Sequence, residues 1–330
     1  MKKALIVGIG GQDGSYLAKS LLEKGYSVWG TSRDAGSSSF RNLRALGVLD
    51  RVEIATMTLN DFRSVLQVLR RVEPDELYNL AGQTSVGLSF KLPVETFESI
   101  AIGTLNLLEA VRFLGAPVRF CNAGSSECFG KTPTPATEET PFAPCSPYAV
   151  AKASAFWQVA AYREAYGLFA CSALLFNHES PLRPPRFVTQ KIIRTACRIA
   201  AGSGEMLELG NIGIRRDWGW APDYVDAMWR MLQQDEAGDY VVATGHAYSL
   251  RDFVKFAFAH FGLDWREHTR IDRGLLRPTD IAVSCGDPTK ARLKLGWTAS
   301  MDTPTVVERM VEAAMTAMRA PAAESGQSAE

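Results

Sequence analysis

The sequence predicts an α/β protein, a doubly wound parallel sheet followed by a smaller, mostly helical region. Three observations point there. Over the first 180 residues, short apolar runs alternate with segments of helical period, the pattern of right-handed βαβ units. The first such run, Ala4-Leu5-Ile6-Val7, enters a glycine cluster directly. After Ser180 the rhythm breaks at Pro181, Pro184 and Pro185, and helical segments follow with few strands between them.

Taken in order, Ala4–Val7 is a run bounded by glycine, as expected of a strand buried on both faces. Tyr16, Leu17, Leu21 and Leu22 space an amphipathic helix over 15–24 that Gly25 closes. Strands are expected at 27–31, 76–80 and 118–122, with helices at 61–72, 96–114 and 147–166. Further helices fall near 188–201, 224–234 and 250–261. The expected division is a first unit of 1–179 plus 212–247 and a second, smaller region of 180–211 plus 248–318. Residues 319–330, rich in Ala, Ser and Glu without periodicity, read as a disordered tail.

Composition narrows the function. The chain has 330 residues, 46% apolar and 22% charged, with 36 basic residues balanced by 36 acidic ones. That balance argues against nucleic acid and against a polybasic membrane anchor as partners. No run approaches the ~20 apolar residues of a membrane span. The opening Met-Lys-Lys is charged like a signal peptide, but the apolar run stops at Gly8, too short for a secretory core. The six cysteines form no CxxC pair and no cluster with histidine, so neither a disulfide framework nor a metal site is expected. A reduced, cytoplasmic protein is the expectation.

The glycine cluster carries the first chemistry. Gly8, Gly11 and Gly14 sit between a strand and a helix, as a dinucleotide requires: one for the tight turn, one for close approach of the pyrophosphate, one for helix–strand packing. The helix N-terminus then offers N–H groups to the phosphates. At the end of the second strand, a carboxylate favours NAD and a basic residue favours the 2′-phosphate of NADP. Thr31-Ser32-Arg33-Asp34 offers both, and Arg33, a forked donor, favours NADP.

Two segments carry the reaction. Ala123-Gly124-Ser125-Ser126-Glu127 follows the strand at 118–122 and so lies at the carboxyl end of the sheet. In Ser146-Pro147-Tyr148-Ala149-Val150-Ala151-Lys152, the tyrosine and lysine stand four apart and share one helix face. An ammonium beside a phenol stabilises its phenolate and lets it exchange a proton with a hydroxyl or carbonyl.

With these strings the chain resembles the extended short-chain dehydrogenase/reductases, which have a Rossmann-type sheet, and within them the GDP-mannose 4,6-dehydratases. The resemblance runs to about residue 318. It rests on GQDGSYL (11–17), NLAGQTSV (79–86), SSECFG (125–130), SPYAVAK (146–152), LFNHESPLR (175–183), FVTQKI (187–192), RRDWGWAPDYVDAMW (215–229), DYVVATG (239–245) and RPTD (277–280). The resemblance implies oxidation of a GDP-sugar at C4, loss of water across C5 and C6, and reduction at C6. Tyr148, Lys152, Ser125 and Glu127 would be the catalytic residues, with Glu127 as the base at C5. Gln12, Asp13, Leu59, Leu80, Ala81, Gln83, His178 and Arg183 would join Tyr148, Lys152 and the loop around the cofactor. Ser85, Asn177, Val188, Lys191, Arg216, Arg251, Arg277 and Asp280 would bind the nucleotide-sugar. The departures are Gly10 and Ser125 for threonine, Asp34 for a basic residue, Thr58 for aspartate and Asp280 for glutamate. A homodimer or homotetramer is expected: in similar dehydratases the loop at 34–40 reaches a neighbouring subunit, and the helices at 96–114 and 147–166 carry apolar residues enough to bury a face. The rival readings are a 4-keto reductase on the same scaffold and a non-catalytic NADP sensor.

Overall fold

A computed structural model describes residues 1–276 and 279–319. Its large sheet has seven parallel strands: β1 (Lys3–Val7), β2 (Ser27–Ser32), β3 (Glu53–Thr56), β4 (Glu76–Asn79), β5 (Arg119–Ala123), β6 (Ala170–Leu175) and, continuing past the strands of the second region, β10 (Tyr240–Val242). Their spatial order is β10-β6-β5-β4-β1-β2-β3. The chain therefore winds outward from β1 to one edge, returns, and winds from β4 to the other. The reversal between β1 and β4 opens a crevice at their carboxyl ends, where such sheets bind ligands.

Period-two alternation explains the core. Ala4 and Ile6 join one apolar cluster, with Leu17, Tyr78 and Tyr224; Leu5 and Val7 join the other, with Leu69, Leu77 and Phe120. The first face is covered by the helices Gln12–Glu23 and Ala221–Met231, the second by Phe62–Val72 and Gly103–Leu114. With helices on both faces every residue of β4 and β6 is buried, which is why these strands read as runs without polar alternation.

The helix expected at 96–114 is interrupted. It comprises Pro93–Phe97, a wider turn at Glu98–Ile102, and Gly103–Leu114. Gly103 lies against Leu59, where a Cβ would come within 3.2 Å of the leucine Cβ. Beside its helices the second region is bordered and crossed by short strands. It holds β7 (Asn177–Glu179), β8 (Leu207–Leu209), β9 (Arg215–Trp220), β11 (Ala247–Ser249), β12 (Thr269–Ile271) and β13 (Val283–Ser284). In one small sheet β9 pairs with β7, β11 and β13, while β8 pairs with β12. These strands are too short to show alternation. The sequence of β9, Arg-Arg-Asp-Trp-Gly-Trp, also disguises a strand in which Arg216 and Asp217 are buried.

The segment 212–247 contributes to both parts: β9 belongs to the small sheet, and β10 to the edge of the large one. Helices Val188–Ala200, Leu250–Ala259 and Thr303–Arg319 enclose a separate core of Ile192, Trp218, Phe253, Phe258 and Met310. Arg319 ends the last helix, and the remainder of the expected tail lies outside the described residues. Among the described residues no helix is long and apolar enough to cross a membrane.

Candidate active site

A cavity of about 430 Å³ lies at the carboxyl ends of the central strands, between the large sheet and the second region. The glycine loop stands at one side. Gly8 has φ +89°, and a Cβ there would come within 3.0 Å of the Ala81 backbone. At Gly14 a Cβ would lie 2.5 Å from the Gly8 carbonyl oxygen, so helix and strand approach as closely as backbone permits. Gly11 has room, its nearest neighbour being the Gly8 oxygen at 3.4 Å. No side chain caps the helix that Gly11 begins. An exposed glycine backbone followed by uncapped N–H groups is the cradle a pyrophosphate needs, so the loop fits a dinucleotide.

At the end of β2, Asp34 turns back into its own loop. Its carboxylate accepts from the backbone N–H groups of Gly36 and Ser37, at 3.0 and 3.1 Å, and from the Ser37 hydroxyl at 2.5 Å. The Ser37 bonds hold its carboxyl below the ordinary aspartate range. Arg33 is exposed beside it. A hollow lined by Gly10, Ser32, Ser38, Ser39, Phe40, Arg41 and Asn42 continues from the glycine loop. It brings in Arg41, a guanidinium that the sequence motifs did not single out.

The reacting groups converge on the cavity. Ser125 lies two residues past β5, its hydroxyl accepting from the Glu127 N–H at 3.3 Å, which starts the tight turn Ser126–Phe129 and carries Glu127 into the cavity wall. Ser146 caps the helix Pro147–Tyr166 by accepting from the Ala149 N–H at 3.1 Å, and Tyr148 and Lys152 descend from its first turns. Both are buried. The Lys152 ammonium donates to the Ala123 carbonyl at 2.6 Å and lies 5.9 Å from the centre of the Tyr148 ring. Burial drives the Lys152 ammonium down to about 8. Burial also pushes the Tyr148 phenol well up, while a hydrogen bond with Ser125 works the other way. These four residues can exchange protons with a sugar.

On the opposite wall stand Asn177, Val188, Lys191, Arg216 and Asp280, with Ser85 at the near side. Lys191 donates to the Glu208 carbonyl at 2.6 Å. Arg216 donates to Asp280 at 2.9 Å and to the Ile281 carbonyl at 2.7 Å, so two residues expected around the nucleotide hold each other. Asp13, Leu80, His178 and Arg183 also line the cavity. Leu59, Ala81, Gln83 and Arg251 do not reach its wall. Leu59 packs in the core with Ala81, the Gln83 amide donates to the Ser85 carbonyl and to Thr96, and Arg251 is exposed at the start of its helix. Arg277 lies outside the described residues. The wall adds Arg186, which donates to Thr84 at 3.5 Å across the cavity and lies 5.1 Å from the Phe187 ring centre. An arginine between two prolines and a phenylalanine matches no motif, so only the fold could find it.

Comparison with known proteins fits this geometry. The profile of the GDP-mannose 4,6 dehydratase family matches residues 5–310. GDP-mannose 4,6 dehydratase 1 of Arabidopsis thaliana is 46% identical over 321 residues, covering 94% of this chain and 89% of that protein. The chain belongs to the GDP-mannose 4,6-dehydratase family. GDP-mannose 4,6-dehydratase of Vibrio cholerae is 41% identical over 345 residues, covering 94% of this chain and 93% of the relative. Among solved structures, Thermus thermophilus UDP-glucose 4-epimerase in complex with NAD superposes with a TM-score of 0.82 at 27% identity, over 94% of this chain and 98% of that one.

The three strings that look narrowest for the family, Gly11–Gly14, Asn177–Pro181 and Arg216–Gly219, form one connected unit. Asn177 and His178 of β7 pair with Trp218 and Gly219 of β9. Asp13 and Gln12 reach β7 by hydrogen bonds.

Proposed function

We propose that the chain converts GDP-D-mannose to GDP-4-keto-6-deoxy-D-mannose, as an NADP-dependent hydro-lyase. One observation carries this: a carboxylate, Glu127, lines the cavity alongside Tyr148, Lys152 and Ser125. Carbonyl reduction needs only the last three. Dehydration needs a further group that takes a proton from carbon and gives one to a departing hydroxyl.

A nicotinamide held beside Tyr148 and Lys152 would supply the acceptor for the C4 hydride and the donor for C6. Tyr148 takes the C4 hydroxyl proton, its phenolate favoured by the Lys152 ammonium, and the Ser125 hydroxyl hydrogen-bonds the C4 oxygen. With C4 a ketone, the C5 proton becomes acidic. Glu127 removes it and delivers a proton to the C6 hydroxyl, which leaves as water. A proton returned to C5 completes the product. Lys191 and Arg216 face the diphosphate, where guanidinium and ammonium donors suit phosphate oxygens, and Asn177, Val188, Ser85 and Asp280 surround the rest of the nucleotide-sugar.

Gly8, Gly11 and Gly14 hold the cofactor pyrophosphate, with Arg183 and His178 nearby. NADP over NAD is supported by the exposed Arg33 after β2, by Arg41 in the hollow there, and by the hydrogen bonds that engage the Asp34 carboxylate within its own loop. Assembly as a homo-oligomer is supported by exposed apolar side chains on two long helices, Phe113 on one and Val150 and Trp157 on the other. A cytoplasmic setting is supported by six free cysteines.

Glu127→Gln tests the reading. The variant should still bind GDP-mannose and oxidise C4, then stall with the reduced cofactor visible by its absorbance, because loss of a positioned base commonly costs ~10²–10⁴ in rate. Near-normal turnover by the variant would sink the assignment of Glu127.

A further inference from the structure

Among the buried titratable groups to which the mechanism gives no proton to move, His178 stands next to the cofactor loop. His178 lies in β7 with its ring stacked on Tyr224, centroids 4.5 Å apart. Its Nδ1 lies 2.7 Å from the Phe176 carbonyl oxygen and its Nε2 lies 3.0 Å from an Asp13 carboxylate oxygen. A carbonyl oxygen can only accept, and an ionised carboxylate can only accept. Each ring nitrogen must therefore carry a proton. Neutral imidazole has one.

We propose that His178 is a standing imidazolium that, with Asp13, latches the dinucleotide loop to the second region and so retains the cofactor between the two hydride steps. Asp13 occupies the first turn of the helix that follows the glycine loop, and His178 the strand that leads into the sugar-binding wall. Gln12 reinforces the contact, its amide nitrogen donating to the His178 carbonyl at 3.3 Å and its oxygen accepting from the Ser180 hydroxyl at 2.8 Å. Ser180 is fixed in turn, its carbonyl accepting from the Gln190 amide at 2.9 Å. The latch thus runs from the glycine loop to the helix that carries Val188 and Lys191.

The charged surroundings agree. Burial opposes ionisation of both partners, yet the His178 charge and hydrogen bond hold the Asp13 carboxyl at about 2, and Asp13 raises His178 above the ordinary histidine range. The other charged or titratable groups around the pair are Arg183 on the turn after β7, Tyr16 on the helix of Asp13, Tyr224 beneath the ring and Lys152 from the long helix. Arg183 opposes the imidazolium, and Asp13 outweighs it. An enzyme that oxidises and then reduces the same sugar cannot let its reduced cofactor go in between, and these two residues sit where they can prevent it. They are positioning residues. The inference rests on the dehydratase reading only through that need for retention.

The test uses the full chain labelled with ¹⁵N-histidine and needs no sugar. The signal that vanishes in His178→Gln identifies the residue among the four histidines. Both its ring nitrogens should be protonated at neutral pH in the unaltered protein, and Asp13→Asn should return the ring to its neutral form. A bare nitrogen on His178 at neutral pH in the unaltered protein overturns the proposal. Release of NADPH, followed by its fluorescence, should quicken about tenfold in either single variant, the scale of one charge-assisted hydrogen bond. The double variant should release little faster than the singles, since the second change finds the latch already open. Unchanged release in either single variant, or effects that multiply in the double, also overturns it. Failure of the dehydratase reading is separate, seen as unconverted GDP-mannose while the imidazolium signals persist.

Discussion

Replacing Lys152 by methionine removes the ammonium beside Tyr148, together with its hydrogen bond to the Ala123 carbonyl. Methionine has nearly the length of lysine and no charge. The ammonium stands 5.9 Å from the centre of the Tyr148 ring, and both side chains are buried. With the ring-centre distance taken as the charge separation, an effective dielectric constant of about 20 gives roughly 3 kcal/mol of attraction between ammonium and phenolate. This corresponds to a phenolate population about 10²-fold smaller at fixed pH once the charge is gone. The expected result is a kcat at neutral pH about 10²-fold lower, with KM for GDP-mannose little changed, because the loss falls on proton transfer and not on binding. The variant should recover part of its rate as pH rises. The unaltered enzyme should behave oppositely at the alkaline end. Its Lys152 is charged below about 8 and neutral above, so the help to Tyr148 fades as pH climbs through that value. Steady-state rates across pH, with single-turnover formation of the reduced cofactor, measure both effects. A variant within about threefold of the unaltered rate at every pH would refute the electrostatic argument.

The glycine loop offers a paired test. Gly11→Ala should fold with an unchanged Tm yet bind NADP more weakly, because its Cβ meets only the Gly8 oxygen at 3.4 Å. Gly14→Ala should lose both stability and binding, because its Cβ would lie 2.5 Å from that backbone oxygen. Arg33→Ala should weaken NADP roughly tenfold and leave NAD unaffected, checked by titration calorimetry with each cofactor. If the helices Gly103–Leu114 and Pro147–Tyr166 form the subunit interface, Trp157→Glu should lower the mass seen by light scattering, since Trp157 is 61% exposed in the single chain.

The sequence was most legible where one physical demand dominates. β1 and its glycine loop stand out because burial on two faces and a close helix approach leave few residue types possible at 4–14. Tyr148 and Lys152 stand out because helical spacing puts them on one face. The small sheet was hidden because its strands are short and β9 pairs its backbone while burying Arg216 and Asp217. Their polarity is met by contacts distant in the chain, Asp280 and Ile281 for the arginine, Thr244 and Gly245 for the aspartate. Arg186 and Arg41 were missed for the same reason, since loop arginines acquire meaning only when the fold brings them to a wall. The orientation of Asp34 was likewise invisible. Its letter argues for NAD, whereas in the fold its carboxylate accepts from Gly36 and Ser37 of its own loop.

The central claim is that one sugar gives up a hydride at C4 and receives it back at C6 within a single enzyme-bound cycle. The direct measurement is turnover of GDP-mannose carrying deuterium at C4, with only catalytic NADP and no added NADPH. The account predicts complete conversion to the 4-keto-6-deoxy product, the deuterium recovered at C6, and a solvent-derived hydrogen at C5. Substrate left unconverted until NADPH is supplied, or a product without the label at C6, would contradict it.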